Sequence, residues 1–132
     1  MTYGAYGKQA VRYREMEVLS ATPGQMVVIV YDHLLVQLTK ARSASGAEQL
    51  AARSDALERS RNAVSELLIT LDQQRGGPLA AQLASIYSFL LGELSVLGVK
   101  PEPRRLERVT AIVSQLREAF ATAAHQAEAA TV

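Results

Sequence analysis

Cysteine and tryptophan are both absent from this chain, and aromatic residues make up only 5% of its 132 residues. Without cysteine the protein has no disulfide framework, no thiolate nucleophile and no cysteine-ligated zinc. Because aromatic rings are so few, the core has to be built mainly from aliphatic side chains. The hydrophobic content of 48% and the charged content of 20% are nevertheless those of a folded domain, and the length suits a single one.

An excess of charge of either sign is also missing. Lysine and arginine number 14 and aspartate and glutamate 13, so the net charge of +1 offers no field that would hold nucleic acid. The longest apolar run is far shorter than the roughly 18 residues of a membrane-spanning helix. The N-terminal stretch MTYGAYGKQAVRYREMEV lacks the apolar region of a signal peptide. These absences predict a soluble protein of the cytosol, with no nucleic-acid partner and no membrane insertion.

Proline and glycine, which interrupt regular structure, are sparse and separate four long segments. Within each segment apolar residues recur three or four positions apart, which is the spacing of an amphipathic helix, and no β alternation persists. Thr22, Pro23 and Gln25 form the start signal of the first helix. They supply a capping residue, a proline at the first helical position and the glutamine of a capping box. We expect this helix to end near Ala44.

Similar signals bound the other three helices. Ser45 and Glu48 repeat the capping box before the second helix, and RGGP at 75–78 is predicted to end that helix. GVKPEP at 98–103 separates the third helix from the fourth. The predicted inward stripe of the second helix contains Leu50, Leu57, Val64, Leu67, Leu68 and Leu71. That of the third helix contains Leu79, Leu83, Ile86, Tyr87, Leu90, Leu91, Leu94 and Leu97. That of the fourth helix contains Leu106, Val109, Ile112, Val113, Leu116 and Phe120.

Short loops between long helices make neighbours in sequence antiparallel. The predicted fold is therefore all-α, an antiparallel up-down-up-down four-helix bundle. We assign residues 1–20 to an N-terminal cap segment or short helix, residues 21–126 to the bundle, and residues 127–132 to a disordered tail.

The first helix carries more apolar surface than a bundle needs. In TPGQMVVIVYDHLL, residues 22–35, one stripe runs through Val27, Val30 and Leu34, and a second runs through Val28 and Tyr31. A bundle helix needs one apolar face somewhat wider than about 100°, whereas this helix is apolar nearly all round for three turns. The N-terminal segment, a second copy of the chain or a partner helix could cover the surplus. The residues alone favour partner binding and homo-oligomerisation equally.

No group of residues predicts catalysis, a metal site or a cofactor. His33 has no second metal ligand three or four positions away, and the chain contains no Glu-x-x-His pair of the kind that di-metal bundles use. A phosphotransfer bundle acting through His33 is an alternative, although HLLVQL lacks the lysine and glycine that usually follow such a histidine. Asp72 is expected to cap the end of the second helix or to form a salt bridge there. We therefore do not predict an enzyme.

Three stretches resemble the FliS family of flagellin export chaperones. In YREMEVLSATPGQMVVIVYDHLL, Tyr13 precedes a Ser-Ala-Thr-Pro turn, and the apolar helix that follows has a Val-Tyr-Asp core, similar to the TASP-like turn and the LYD of the family. LLITLDQQRGGPLAAQLASIYSFLLGEL is similar to the family's LxxxLDxxxGGxxAxxLxxLYxYM, and VSQLREAF is similar to its closing LRxAW. Gly92 and Glu93 replace the family's usual basic pair, Gly98 its asparagine and Phe120 its closing tryptophan.

The resemblance implies a cytoplasmic helical bundle without enzymatic activity that holds the C-terminal segment of newly made flagellin. Binding would prevent premature polymerisation and deliver flagellin for flagellar type III secretion. Export-gate components are further expected partners, and a weak homodimer is a further expected state. A structural helical homo-oligomer is the alternative, beside the phosphotransfer bundle. The residues expected to bind the partner are Tyr13, Met26, Ile29, Val30, Tyr31, Leu34, Tyr87 and Leu91.

Overall fold

The computed structural model of this chain describes residues 22–44 and 46–130. These residues form four α-helices and one short 3₁₀ helix, without a strand: α1 (Pro23–Ser43), the 3₁₀ helix (Ala47–Gln49), α2 (Leu50–Ile69), α3 (Gln73–Val99) and α4 (Pro103–Ala130). Helix α1 packs against α2 and α4, and α3 packs against the same two helices. The prediction of an all-α fold with four long helices is confirmed, whereas the N-terminal segment assigned to residues 1–20 lies outside the described residues.

One core fills the space between the four helices. It is mainly aliphatic, as the scarcity of aromatic residues requires, and all four helices contribute to it. Burial of each large aliphatic side chain removes apolar area from water and stabilises the fold by about 1.5–3 kcal/mol. The buried members are Tyr31, Leu34, Leu38, Ala41, Ala56, Leu57, Ala63, Val64, Leu67, Leu83, Tyr87, Leu90, Leu94, Leu97, Leu106, Val109 and Val113.

The start of α1 is a complete capping box, as predicted. The Thr22 hydroxyl accepts a hydrogen bond from the Gln25 main-chain N–H at 3.3 Å. The Gln25 side-chain carbonyl in turn accepts from the Thr22 main-chain N–H at 3.0 Å. Pro23 occupies the first helical turn and Ala44 caps the other end. Two main-chain donors that would otherwise lack an intrahelical partner are thereby satisfied.

We expect Thr22→Ala to lower the free energy of unfolding by about 1 kcal/mol, the usual loss for a removed N-cap hydroxyl. Thr39→Ala is the matched control, because the Thr39 hydroxyl lies mid-helix, is exposed and donates only to the Leu35 carbonyl. Urea unfolding followed by circular dichroism measures both variants. An equal loss for the two would contradict a stabilising role for the cap.

The predicted start of α2 is wrong. The helix begins at Leu50 after the 3₁₀ helix, and its capping residue, Gln49, makes no side-chain capping hydrogen bond. Ser45, the predicted capping residue, lies outside the described residues. Leu50 is 60% exposed, because it stands at the first position of α2 and borders an open cavity at this end of the bundle. The inward stripe of this helix therefore starts one heptad later, at Leu57.

The boundary between α2 and α3 also differs from the prediction. Helix α2 ends at Ile69, and Asp72 caps the start of α3, where its Oδ1 accepts from the Arg75 main-chain N–H at 3.2 Å. The expectation that Asp72 closes α2 is therefore wrong. The position at the start of α3 is favourable because the helix dipole stabilises a carboxylate at a helix N-terminus. RGGP lies inside α3, where Gly77 has φ +53° and ψ −136° and interrupts the helical backbone. The glycines mark a kink instead of a helix end.

The ends of α3 and α4 complete the fold. GVKPEP separates the two helices as predicted, since Lys100 to Glu102 are not helical. Helix α4 continues to Ala130, beyond residue 126 where the sequence places the end of the bundle. Helix α3 is long and apolar enough to cross a membrane by length and composition alone, a test that core helices also pass. Here one face of α3 contributes Leu90, Leu94 and Leu97 to the core.

Candidate functional site

The centre of the core contains a pair of tyrosines from two helices that are far apart in sequence. The hydroxyls of Tyr31 on α1 and Tyr87 on α3 lie 2.5 Å apart and hydrogen-bond to each other. The two residues are 0% and 2% exposed. The Tyr31 ring also packs against Phe120 of α4, with ring centroids 5.5 Å apart. Two of the stretches on which the family resemblance rests therefore meet at one polar contact inside the bundle.

Burial widens the pH range over which this pair is uncharged. Loss of solvent raises the pKa of Tyr31 far above its ordinary value of 10, and the hydrogen bond and charge of Tyr87 act in the same direction. Burial also raises the pKa of Tyr87, although the hydrogen bond from Tyr31 opposes that rise. A phenol with the ordinary pKa of 10 is already neutral at physiological pH, and burial extends the neutral state to more alkaline pH. Each phenol therefore keeps one O–H donor.

Three of the eight residues predicted to bind a partner belong to the core. Tyr31, Leu34 and Tyr87 lie on inward stripes, where residues three and four positions apart share one helix face. Tyr31 and Leu34 line neither of the two cavities described below, whereas Tyr87 lines the smaller one. Because α1 is apolar on nearly all sides, the sequence alone could not show which side of this helix faces the core.

The remaining predicted residues lie nearer the surface. Met26 is 37% exposed, and Ile29, Val30 and Leu91 are half-buried. Tyr13 lies outside the described residues. Met26, Ile29 and Val30 follow one another closely along the first two turns of α1, so they form a short apolar patch that we call the α1 patch. Its role in binding stays a prediction.

Sequence reasoning missed the outer face of α3. Phe89 is 53% exposed and Val96 is 40% exposed on this face. Residues 76–99 contain one charged residue, Glu93, and its carboxylate pairs with Arg105 on α4. From Gly76 to Val99 the outer face of α3 is therefore free of charge, although it is exposed. A run of more than twenty residues with a single acid was the signal in the sequence that indicated such a face.

A large open cavity lies at the bundle end where α1 and α3 finish and α2 and α4 begin. Its volume is about 730 Å³, and we call it the end cavity. Arg53 spans one side, where its Nη2 donates to the Leu97 main-chain carbonyl at 2.6 Å. The exposed Leu50 side chain belongs to its wall. Because five separate elements contribute to the cavity, no local pattern in the sequence could predict it.

A smaller cavity of about 190 Å³ lies beside the tyrosine pair, and we call it the tyrosine cavity. Its walls are mostly apolar, and Tyr87 is one of its lining residues, whereas Tyr31 is not. The exposed residue Leu79, predicted as core, belongs to its wall. The residues that line it are Val27, Leu67, Thr70, Leu71, Asp72, Gly76, Leu79, Ala80, Leu83, Tyr87 and Phe120.

Ion pairs tie α4 to its neighbours. Arg117 Nε donates to Asp32 on α1 at 2.8 Å. Arg105 pairs with Glu93 on α3 and with Glu102, and its hydrogen bond lowers the pKa of Glu102 below the ordinary value. These contacts are partly exposed, so each contributes modestly to stability. They fix the side-by-side position of the helices that border both cavities.

The described part of the chain offers little for catalysis. It contains no group of three or more histidine, aspartate or glutamate residues that could hold a metal ion. His33 is exposed on α1. The arrangement consists of a firm core, exposed apolar residues and two apolar cavities, which suits the binding of another polypeptide.

Several flagellar proteins are similar in sequence to this chain. Residues 6–127 match the family model described as Flagellar protein FliS. The flagellar secretion chaperone FliS of Salmonella typhimurium strain LT2 is 27% identical over 117 residues, which are 88% of this chain and 84% of that protein. The chaperone FliS of Bacillus subtilis strain 168 is 25% identical over 108 residues, 82% of this chain and 80% of its own length.

A third relative shows the same extent of similarity. The flagellar secretion chaperone FliSB of Pseudomonas aeruginosa strain PAO1 is 23% identical over 111 residues, which are 84% of this chain and 88% of that protein. The names of these relatives describe chaperones of secretion and not enzymes. Since the family model spans the first three helices, nearly all of α4 and most of the preceding segment, the chain belongs to the FliS family of flagellar proteins.

Proposed function

We propose that this protein is a cytoplasmic export chaperone that binds the C-terminal segment of flagellin. Binding keeps the subunit from polymerising too early and delivers it for flagellar type III secretion, with export-gate components as later partners. The observation that carries this proposal is the match of residues 6–127 to a family whose relatives are named flagellar secretion chaperones. In the same proposal the four helices run antiparallel in up-down-up-down order, and the free protein forms at most a weak homodimer.

The apolar surface supports the proposal physically. An unfolded client loses conformational entropy when it is ordered on a chaperone, so it has to bury a large apolar area to remain bound. The α1 patch, the uncharged outer face of α3 and the end cavity supply apolar area on several sides of one molecule. Amphipathic helices of a client can lie in such grooves through side chains spaced three and four positions apart.

The N-terminal segment has a regulatory role in this proposal. Residues 1–20 cover the α1 patch in the free protein, and the client displaces them. Such a cover protects apolar surface from aggregation. It also lowers the apparent affinity for the client, because only the uncovered fraction of the protein can bind.

The proposal is tested by titrating the full chain with the C-terminal segment of flagellin from the same source. We expect calorimetry to give a 1:1 complex at micromolar concentration. Val30→Asp and Met26→Asp should each weaken binding by at least about tenfold, since each buries a carboxylate against apolar client surface. Met26 is already partly exposed, so its variant tests the patch even where Val30→Asp disturbs the fold.

Ser54→Asp is the matched control, because it adds the same charge to an exposed position on α2 that lies outside the α1 patch and lines neither cavity. Its affinity should equal that of the unmodified protein, and circular dichroism checks that all variants stay folded. Absence of any complex would refute the proposed function. Normal binding by both patch variants would instead leave the function standing and show that the α1 patch is not the contact surface.

A further inference from the structure

The tyrosine pair has one hydrogen-bond donor too many. Two neutral phenols bring two O–H groups, and the contact between Tyr31 and Tyr87 uses one of them. Among the described residues neither hydroxyl makes another hydrogen bond. A buried donor without an acceptor is unfavourable by about 1–3 kcal/mol, so native structures rarely leave one in place. The second proton of the pair therefore requires an acceptor from outside the core.

The tyrosine cavity is the route by which such an acceptor can arrive. Tyr87 lines this cavity and Tyr31 does not, so of the two phenols Tyr87 is the one that a molecule in the cavity can contact. The cavity holds about 190 Å³ and its walls are mainly leucine, valine and phenylalanine side chains. An apolar cavity of about 150 Å³ is large enough to bind benzene. The space therefore fits one side chain of leucine or phenylalanine size.

The RGGP kink shapes one wall of this cavity. Gly76, Leu79 and Ala80 all line it. A Cβ on Gly76 would lie 2.5 Å from the Cβ of Ala80, so only glycine allows the first turn of α3 to approach Ala80 so closely. The positive φ of Gly77 then redirects the chain. Small residues thus leave open a space that an ordinary helical turn would fill with side chains.

We propose that the tyrosine cavity seats one large apolar side chain of the bound polypeptide, whose adjoining main-chain carbonyl accepts the hydrogen bond from Tyr87. This proposal rests on the proposed function, because it names the occupant as a leucine or phenylalanine of the secreted client. The geometry combines an open, mainly apolar volume with one buried phenol on its wall. A peptide matches this combination, because each of its apolar side chains has a main-chain carbonyl beside it. Tyr87 then acts on the client directly, and Tyr31 acts by holding the Tyr87 ring in place.

The first experiment uses small probes and does not depend on a client. Acetophenone has an apolar ring and one carbonyl, and α-methylstyrene has nearly the same shape without an acceptor. We expect amide NMR signals of Gly76, Ala80 and Leu83 in the full chain to shift with both probes. Tyr87→Phe should lower the affinity ratio of acetophenone to α-methylstyrene by about two- to tenfold, the effect of one neutral hydrogen bond.

Filling the cavity provides the matched control. Leu79→Trp adds a large side chain at its wall and should abolish probe binding. Ser85→Trp adds a larger group on the opposite, exposed side of α3 and should leave probe binding unchanged. If acetophenone shifts none of the amide NMR signals of Gly76, Ala80 and Leu83, the cavity is not a binding site. An affinity ratio that stays the same in Tyr87→Phe overturns the role of the hydroxyl.

The second experiment identifies the occupant. The flagellin C-terminal segment should displace acetophenone from the unmodified protein, and Leu79→Trp should weaken binding of that segment at least about tenfold. A segment that binds without displacing the probe overturns the assignment of the cavity to the client. A segment that does not bind at all refutes the proposed function and this occupant together, while the probe data still decide whether the cavity binds an apolar group with a carbonyl.

Discussion

Leu34→Ala should destabilise the protein by about 3 kcal/mol, within the range of 2–5 kcal/mol measured for buried leucines. The Leu34 side chain is 0% exposed and belongs to the core beneath α1. Its truncation removes apolar contacts and leaves a cavity that the close-packed neighbours fill only in part. The sequence analysis named Leu34 among the partner-binding residues, and its complete burial adds a role in the core.

Urea unfolding measures this destabilisation. Leu50→Ala is the matched control, since it is the same substitution at a leucine that is 60% exposed. We expect it to change the free energy of unfolding by no more than about 0.5 kcal/mol, as surface substitutions usually do. The midpoint should fall for Leu34→Ala with an unchanged slope, which indicates a loss of stability at constant compactness. Similar midpoints for the two variants would show that Leu34 is not a core residue.

Features determined by neighbouring residues could be predicted from the sequence. The capping box of α1 depends on Thr22, Pro23 and Gln25, so its hydrogen bonds follow from local chemistry. The four helices follow from apolar spacing, which any long amphipathic segment displays. The break between α3 and α4 follows from two prolines that cannot continue a helix. Each of these features is confirmed by the structure.

Features that depend on partners distant in sequence could not be predicted. The RGGP kink is an exception, because the Asp72 cap that starts α3 is a local contact with Arg75 that the sequence analysis assigned to the end of α2 instead. The exposure of Leu50 and Leu79 depends on where neighbouring helices end, and each of the two leucines borders a cavity. The contact between Tyr31 and Tyr87 spans 56 positions. The chain pattern identified both tyrosines as apolar stripe members and contained no sign that their hydroxyls meet.

These differences change how the binding surface is understood. The sequence suggested one groove bordered by residues of the first and third helices, with Tyr31, Leu34, Tyr87 and Leu91 among them. The structure instead buries the tyrosines and leaves apolar surface in separate places: the α1 patch, the outer face of α3 and two cavities. A client that contacts all of them has to wrap around the bundle, and an extended polypeptide can do so where a folded one cannot.

The tyrosine pair makes the fold sensitive to alkaline pH. Burial raises the pKa of both phenols in the folded protein, whereas in the unfolded chain they ionise near pH 10. A raised folded pKa leaves stability unaffected below the unfolded value and reduces it as the pH rises further. Above about pH 10 the unfolded chain releases two protons that the folded protein retains. The free energy of unfolding should then fall by up to about 2.7 kcal/mol for each pH unit.

The double variant Tyr31→Phe, Tyr87→Phe isolates this effect. It removes both hydroxyls and keeps the ring shapes, so at neutral pH its stability should be close to that of the unmodified protein. Urea unfolding at pH 7, 9, 10, 11 and 12 should give parallel stabilities up to about pH 9 and then a steeper fall for the unmodified protein alone. Other groups that titrate in this range affect both proteins equally, because only the two phenols differ. Curves that stay parallel to pH 12 would mean that both phenols ionise in the folded state as readily as in the unfolded chain, and hence that the pair is reached by water.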